Sequence, residues 1–252
     1  MGKYFLLLGS VLLLAGCSEF NQPISSEHEG IWNQYIVWPI VSIIQIVAEF
    51  TGSYAGGIIL VTVLVRICIL PLSFKHMKSS RAIQALQPQF RELQNSYSPK
   101  NVETQRQYQQ EMMKLMQSPG ATPLAGCLPV IIQMPVLLGL YHAISRMNVT
   151  PLYDLGSIFN VPLATSSIIF AILAGFMQYI VVKTGPTIKT NSQMSIMQYL
   201  LPIMIMIFGF IAPVAITLYW IISSFISILQ NLYLYKILYR EDNDISFISE
   251  NK

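Results

Sequence analysis

Five apolar runs dominate this chain: Ile58 to Phe74, Leu128 to Ile144, Ser166 to Val182, Ile196 to Ile211 and Val214 to Tyr235, which hold one charged side chain among them, Arg66. Each is close to the roughly 20 residues that a helix needs to cross a hydrocarbon core about 30 Å thick. With 53% hydrophobic and only 11% charged residues, the composition excludes an ordinary soluble domain. It predicts an all-α integral membrane protein of five transmembrane helices, since a helix satisfies its own backbone in lipid. Most runs fall near the short end of the spanning range, so local bilayer thinning is expected around them. Pro129, Pro135 and Pro202 lie inside or at the start of runs, where neighbouring helices have to re-satisfy the freed carbonyls. No internal repeat is visible.

The N-terminus reads differently. Lys3, an apolar stretch from Tyr4 to Leu14 and then small residues make residues 1–16 a secretory signal peptide, too short to count as a span. Leu14-Ala15-Gly16-Cys17 resembles a bacterial lipobox, in which the cysteine sulfur takes a diacylglyceryl group and becomes the mature N-terminus. The expectation is a lipidated segment over 17–57 whose two acyl chains anchor it stably. Cys68 and Cys127 show no CxxC or Cys/His spacing, so metal and disulfide roles are not expected, and both read as buried small hydrophobes.

Within that segment, Gln34 to Phe50 keeps Gln34, Ser42, Gln45 and Glu49 near one helical face and Ile36, Ile40, Ile43, Ile44 and Val47 on the other. This predicts an amphipathic helix on the outer membrane surface, with Trp32 and Trp38 at interface depth. Gly52, Gly56 and Gly57 then break it before the first span, 58–74.

Lysine and arginine set the orientation. Seven lie in Lys75 to Gln117, two more are Lys183 and Lys189, and the tail from 236 to 252 has Lys236, Arg240 and Lys252; the opposite side has Arg146 alone. By the positive-inside rule the spans are 58–74, 128–144, 166–182, 196–211 and 214–235, with 145–165 outside, 183–195 inside, the N-terminus out and the C-terminus cytoplasmic. Residues 75–117 read as two helices around the turn Ser98 to Asn101, an αα-hairpin. Its apolar stripe is thin: Met77, Ile83, Leu86, Phe90 and Leu93 against Tyr108, Met112, Leu115 and Met116, amid nine glutamines. Such a stripe fits a solvated connector and a landing surface for an incoming chain alike.

The polar residues inside the runs are few and patterned. Thr62, Arg66 and Ser73 share one face of the first span, while Thr217, Trp220, Ser224, Ser227 and Asn231 recur along the last at helical spacing. Gln133, Gln178 and Gln198 put one amide in each remaining span. Interhelical glutamine and serine hydrogen bonds are ordinary glue in membrane bundles, a role as apt for Gln133, Gln198 and the serines as any functional one. Arg66 is different, because a guanidinium at mid-bilayer costs about 2.5 to 3.5 kcal/mol on insertion scales. The runs contain no Asp or Glu, so the expectation is water in a cavity, helped by polar groups such as Thr62 and Gln178. The three histidines, His28, His76 and His142, share no carboxylate or cysteine partner, and no catalytic or metal role is expected of them.

The order of motifs carries a resemblance: the lipobox, "TVLVRICILPL", a charged hairpin with "ALQP" and "EMMKLM", "PLAGCLPVIIQMPVLLGLYHAI", a "YDLG" outer loop and "LYWIISSFISILQ" in the last span. It is similar to YidC-type membrane protein insertases of the Gram-positive, five-span lipoprotein kind, related to the mitochondrial oxidase-assembly and chloroplast Albino insertases. The resemblance covers nearly the whole chain beyond the lipobox. It implies a chaperone and insertase in which five helices surround a hydrophilic groove, open to the cytosol and to lipid and closed outside. Small membrane proteins enter the bilayer along such a groove without ATP. By motif, Gln178 in "GFMQYI" and Trp220 in "LYW" match groove positions, beside Thr62, Arg66, Thr217 and Ser224 on the polar faces. The implied partners are nascent membrane-protein clients, membrane lipids, the Sec translocon and the ribosome; no cofactor and no nucleic acid are implied. The chain departs from the pattern in "PLYDLGSIFNVPLAT", which lacks an aromatic-rich run ahead of "DLG", and in a short, near-neutral tail where direct ribosome docking goes with a long basic one.

Two other classes are disfavoured. An intramembrane protease needs a nucleophile with a base, or paired carboxylates, at membrane depth, and neither these nor a Gly-x-Ser-x-Gly or His-Glu-x-x-His motif is present. An inverted-repeat transporter would show repeats and glycine-broken half-helices.

Overall fold

The computed structural model describes residues 22–24, 30–97, 102–116, 128–185 and 192–250, with the backbone course alone for 102–103, 116, 128–132, 192–197 and 235–250. Cys17, with the signal and lipobox segment, and Cys127 lie outside the described residues. The helices are α1 Trp38–Thr51, α2 Tyr54–Ala85, α3 Gln87–Ser96, α4 Val102–Met116, α5 Leu128–Val149, α6 Ile168–Thr184, α7 Ser192–Gly209 and α8 Val214–Glu250. A π-helical turn, Asn33–Val37, leads directly into α1. The helices continue through Pro71 in α2, Pro135 in α5 and Pro202 in α7.

One small departure from the all-helical expectation lies between α5 and α6. Strands β1 Ser157–Ile158 and β2 Val161–Pro162 pair antiparallel. Their turn residues Phe159 and Asn160 both take positive φ, 49° and 62°, the turn whose twist suits a two-residue hairpin. Only Asn160 is at ease in that region, so the sequence carries a weak signal for the turn.

The described residues form two compact units. The first comprises residues up to Val65 with Ile132–Ala174 and Ile207–Ile222; the second comprises Arg66–Ile131, Gly175–Met206 and the residues from Ser223 on.

In the first unit, Val37 and α1 residues Val41, Ile44 and Ala48 are buried, the 4-3-4 spacing of one helical face. That face lies between the two faces assigned from the sequence, because Ile46 and Phe50, apolar as they are, point outward. Gly52 ends α1 in the left-handed conformation, with its N–H on the Ala48 carbonyl at 2.7 Å. On α2, Gly57 lets the α1 backbone approach: a β-carbon there would lie 2.7 Å from the Ile44 carbonyl oxygen. α5 adds Leu140, Ala143, Ile144 and Met147, and the first two turns of α8, Val214 to Trp220, are buried on every side. The amides of Val214 and Ala215 donate to the carbonyls of Thr165 and Leu163 at 2.7 and 3.0 Å, so the preceding loop satisfies donors that a helix start leaves open.

In the second unit, α2 runs on through Lys75 to Ala85 without a break at the end of the apolar run. The break falls at Leu86, where Pro88 lacks the N–H that would continue the ladder. Phe90 is fully buried with Ile83, and Leu86, Met112 and Leu115 pack around them. These five belong to the thin stripe expected for the hairpin.

Much of the helical surface is apolar and exposed: Leu64 and Ile67 on α2, Ile169 and Phe176 on α6, Ile203 and Ile207 on α7, Leu229 and Leu232 on α8. Among the described residues, Asn33–Thr51, Tyr54–Ala85 and Val214–Leu234 are long and apolar enough to cross a membrane, with Ile168–Thr184 and Gln198–Gly209 as shorter apolar helices. Cys68 is exposed, which corrects the expectation of burial. In lipid an outward face is as apolar as a core face, so hydropathy alone does not separate them.

Candidate functional site

The sequence-predicted polar residues fall into both units. In the second unit, Arg66 Nε donates to Ser223 Oγ at 2.8 Å, and Nη2 donates to the same oxygen. Successive residues on a helix diverge by about 100°, so Ser224 turns elsewhere: its hydroxyl donates to Gln178 Oε1 at 3.1 Å. Farther along α8, Asn231 Nδ2 lies 3.3 Å from both the Val181 carbonyl and the Thr184 hydroxyl. α8 is therefore joined to α2 through Ser223 and to α6 through Ser224 and Asn231, over about 12 Å of helix. Ser223 and Ser224 are buried, whereas Arg66 and Gln178 keep partial exposure. Ser227, also on the predicted stripe, donates to the Ser223 carbonyl of its own helix at 2.9 Å.

Thr62, Thr217 and Trp220 belong to the first unit. Thr62 and Thr217 are buried and donate within their own helices, to Ile58 O at 2.7 Å and Val214 O at 3.0 Å. Trp220 is buried with its ring edge-on to Phe208, centroids 5.5 Å apart. Gln133 donates from Nε2 to the Tyr219 hydroxyl, the interhelical glue expected of it. Gln198 Oε1 is buried without a hydrogen bond among the described residues.

Ser223 is thus a partner of Arg66 that the sequence reading, which looked to Thr62 and Gln178, had not named. Ser223 escaped sequence reading because it lies one residue off the polar stripe; the pair Ser223-Ser224 was the available signal. A second residue was undervalued. Arg146, read as the lone outer cation, is completely buried in the first unit, with Nη1 donating to Asn33 Oδ1 at 2.7 Å. At the end of α6, Lys183 Nζ lies 5.4 Å from the ring centroids of Tyr179 and Tyr199. Tyr179 first and then Tyr199 raise its pKa above the ordinary lysine value, so it stays charged at neutral pH. Among the described residues no three His, Cys, Asp or Glu gather as a metal-ligand set.

Comparison with known proteins gives this arrangement a family. Residues 46–241 match the family described as 60Kd inner membrane protein. The chain is 40% identical to the membrane protein insertase YidC 1 of Halalkalibacterium halodurans, over 92% of this chain and 90% of that protein. It is 40% identical to the membrane protein insertase MisCA of Bacillus subtilis, over 91% and 89%, and to YidC 2 of Bacillus anthracis, over 94% and 93%. Among solved structures, an active YidC insertase with its first transmembrane domain resolved superposes with a TM-score of 0.61 at 21% identity; 79% of this chain is covered, and it spans 46% of that longer chain. That likeness is one of fold. With its family match across most of its length and relatives at 40% identity, the chain belongs to the 60Kd inner membrane protein family, that of the YidC membrane protein insertases.

Proposed function

We propose that this protein is a membrane protein insertase and chaperone that helps newly made integral membrane proteins enter and fold in the bilayer. The observation that carries the reading is Arg66, a guanidinium inside an apolar run, partly exposed and held by a serine hydroxyl. A hydroxyl steadies the cation without neutralising it, and a charge in a low-dielectric setting attracts opposite charge more strongly than in water. The acidic residues of a client's extracellular-destined tail are the natural target. Gln178 and Ser224 add a second polar pair to the second unit. In the first unit we assign client contact to Thr62, Thr217 and Trp220 from their place in the sequence pattern.

The fuller reading is a five-span protein with a cytosol-open hydrophilic groove, lipidated at Cys17 outside and ending in the cytoplasm. It serves small clients alone and assists larger ones beside the Sec translocon. Purified protein in liposomes tests it: an insertase integrates a supplied single-span protein to a protease-protected state, whereas a channel passes ions or solutes with no client added. Failure to integrate any client, with solute flux present, would overturn the reading. In cells, depletion followed by protease protection of new single-span proteins gives the same test.

A further inference from the structure

The first unit holds a buried cation that the insertase reading does not use. Arg146, on the last turn of α5, is fully enclosed, and its donors reach Asn33 and two backbone carbonyls. Nη1 reaches Asn33 Oδ1 at 2.7 Å, Nε reaches the Gln22 carbonyl at 3.1 Å, and Nη2 reaches the Pro23 carbonyl at 3.3 Å. One turn on, Thr150 accepts the Ile24 N–H at 2.9 Å while donating its own proton to the Arg146 carbonyl at 2.6 Å. The Ile24 side chain is itself buried. Two consecutive carbonyls, the next amide and one apolar side chain are thus read together, which is how a protein grips an extended peptide.

We propose that this end of α5 is a peptide-binding site occupied by the chain's own segment Gln22–Ile24, and that Arg146 is the positioning residue that latches this strap to the first unit. The guanidinium suits the task because its planar fork satisfies several acceptors at once, where a lysine ammonium is a single compact point. Asn33, at the start of the π-helical turn, is held by the same fork, so one residue joins the strap to the lead-in of α1.

The test is accessibility of the strap to a membrane-impermeant maleimide in the full-length protein, with Cys17→Ala, Cys68→Ser and Cys127→Ser to silence other thiols. Ile24→Cys should react at least about tenfold more slowly than Phe159→Cys, an exposed reference at the β-hairpin tip, because the reagent must wait for local opening. Adding Thr150→Val or Arg146→Lys should bring the Ile24→Cys rate to within about twofold of the reference. The pair Ile24→Cys with Thr150→Cys should form a disulfide under mild oxidation without any third substitution. Equal labelling of Ile24→Cys and Phe159→Cys in the otherwise unaltered latch would overturn the proposal. Restoring Cys17 separates the two readings: if the strap is protected only when Cys17 is acylated, the lipid holds it and the latch is wrong. If protection persists while no acyl chain is incorporated, the latch stands and the lipidation reading falls.

Discussion

Arg66 donates from Nε and Nη2 to a single acceptor, the hydroxyl of Ser223. The two residues are 157 positions apart in the chain and bring α2 to α8 with a neutral partner on the charged side chain. If the charge is what clients use, Arg66→Lys keeps it and Arg66→Ala removes it. We expect Lys to support insertion of an acidic-tailed client near the unaltered level. Ala should lower it about tenfold, the equivalent of about 1.4 kcal/mol of lost attraction. A matched client with its tail neutralised should lose no more than about twofold. Insertion of both clients at equal protein level is the measurement; equal loss for the pair would leave Arg66 a structural residue.

The Ser224 hydroxyl and the Gln178 amide, 3.1 Å apart, offer a test of whether the polar band is glue. Interhelical hydrogen bonds in a membrane bundle average about 0.6 kcal/mol in coupling and reach about 1.7. A double-mutant cycle on thermal unfolding with Ser224→Ala and Gln178→Leu should return a coupling in that range. The two substitutions together should also depress client insertion more than the stability loss accounts for. Wild-type insertion by a stable double variant would assign the pair to structure alone.

What was legible and what was not follows from the solvent. Helical segments and the apolar stripe of the hairpin could be read because periodicity and proline breaks operate locally: Ile83, Leu86, Phe90, Met112 and Leu115 were placed together from spacing and do pack. Which side of an apolar helix meets protein could not be read, since lipid and core demand the same side chains. Cys68 and the inward face of α1 went wrong for that reason. Partner choice was equally hidden: Thr62 bonds its own helix, Gln178 bonds Ser224, and Arg66 meets Ser223, a residue off the polar stripe. Arg146 reads as a loop cation by counting, yet the tertiary placement of Asn33 and of the carbonyls at 22 and 23 helps make its burial tolerable.

The hairpin rests on one aromatic. Phe90 is fully buried among four aliphatic neighbours, and truncating a buried Phe to Ala removes about 3–5 kcal/mol from an ordinary core. A core this small has little else to hold it, so Phe90→Ala should unfold the α3–α4 pair while leaving the rest helical. Hydrogen exchange should lose protection across Gln87–Ser96 and Val102–Met116 and keep it in α6 and α8. Arg91→Glu, a change of an exposed charge, should alter neither exchange nor insertion. If α3 and α4 stay protected in Phe90→Ala, the cluster is not what stabilises them.

Gly57 sets how closely α1 can lie on α2. A β-carbon there would stand 2.7 Å from the Ile44 carbonyl oxygen, 2.9 Å from its α-carbon and 3.1 Å from its side chain. Two of those three atoms are backbone, so no rotamer change relieves the clash and α1 itself has to move. Gly57 lies in a helix, where alanine is favoured by about 1 kcal/mol on propensity, so the local term alone would make Gly57→Ala stabilising. Overpacking against fixed backbone costs about 1–3 kcal/mol, and at 2.7 Å the upper part of that range applies. The net expectation is destabilisation by about 1–2 kcal/mol, seen as a fall of roughly 2–8 °C in Tm at about 2–4 °C per kcal/mol. Gly56→Ala is the control, because its nearest neighbour is a side-chain atom, the Thr51 hydroxyl at 3.2 Å, and no backbone atom is in the way; it should be neutral or mildly stabilising. A Gly57→Ala protein as stable as the Gly56→Ala control would mean that α1 does not rest on α2 as closely as the Ile44 contact requires.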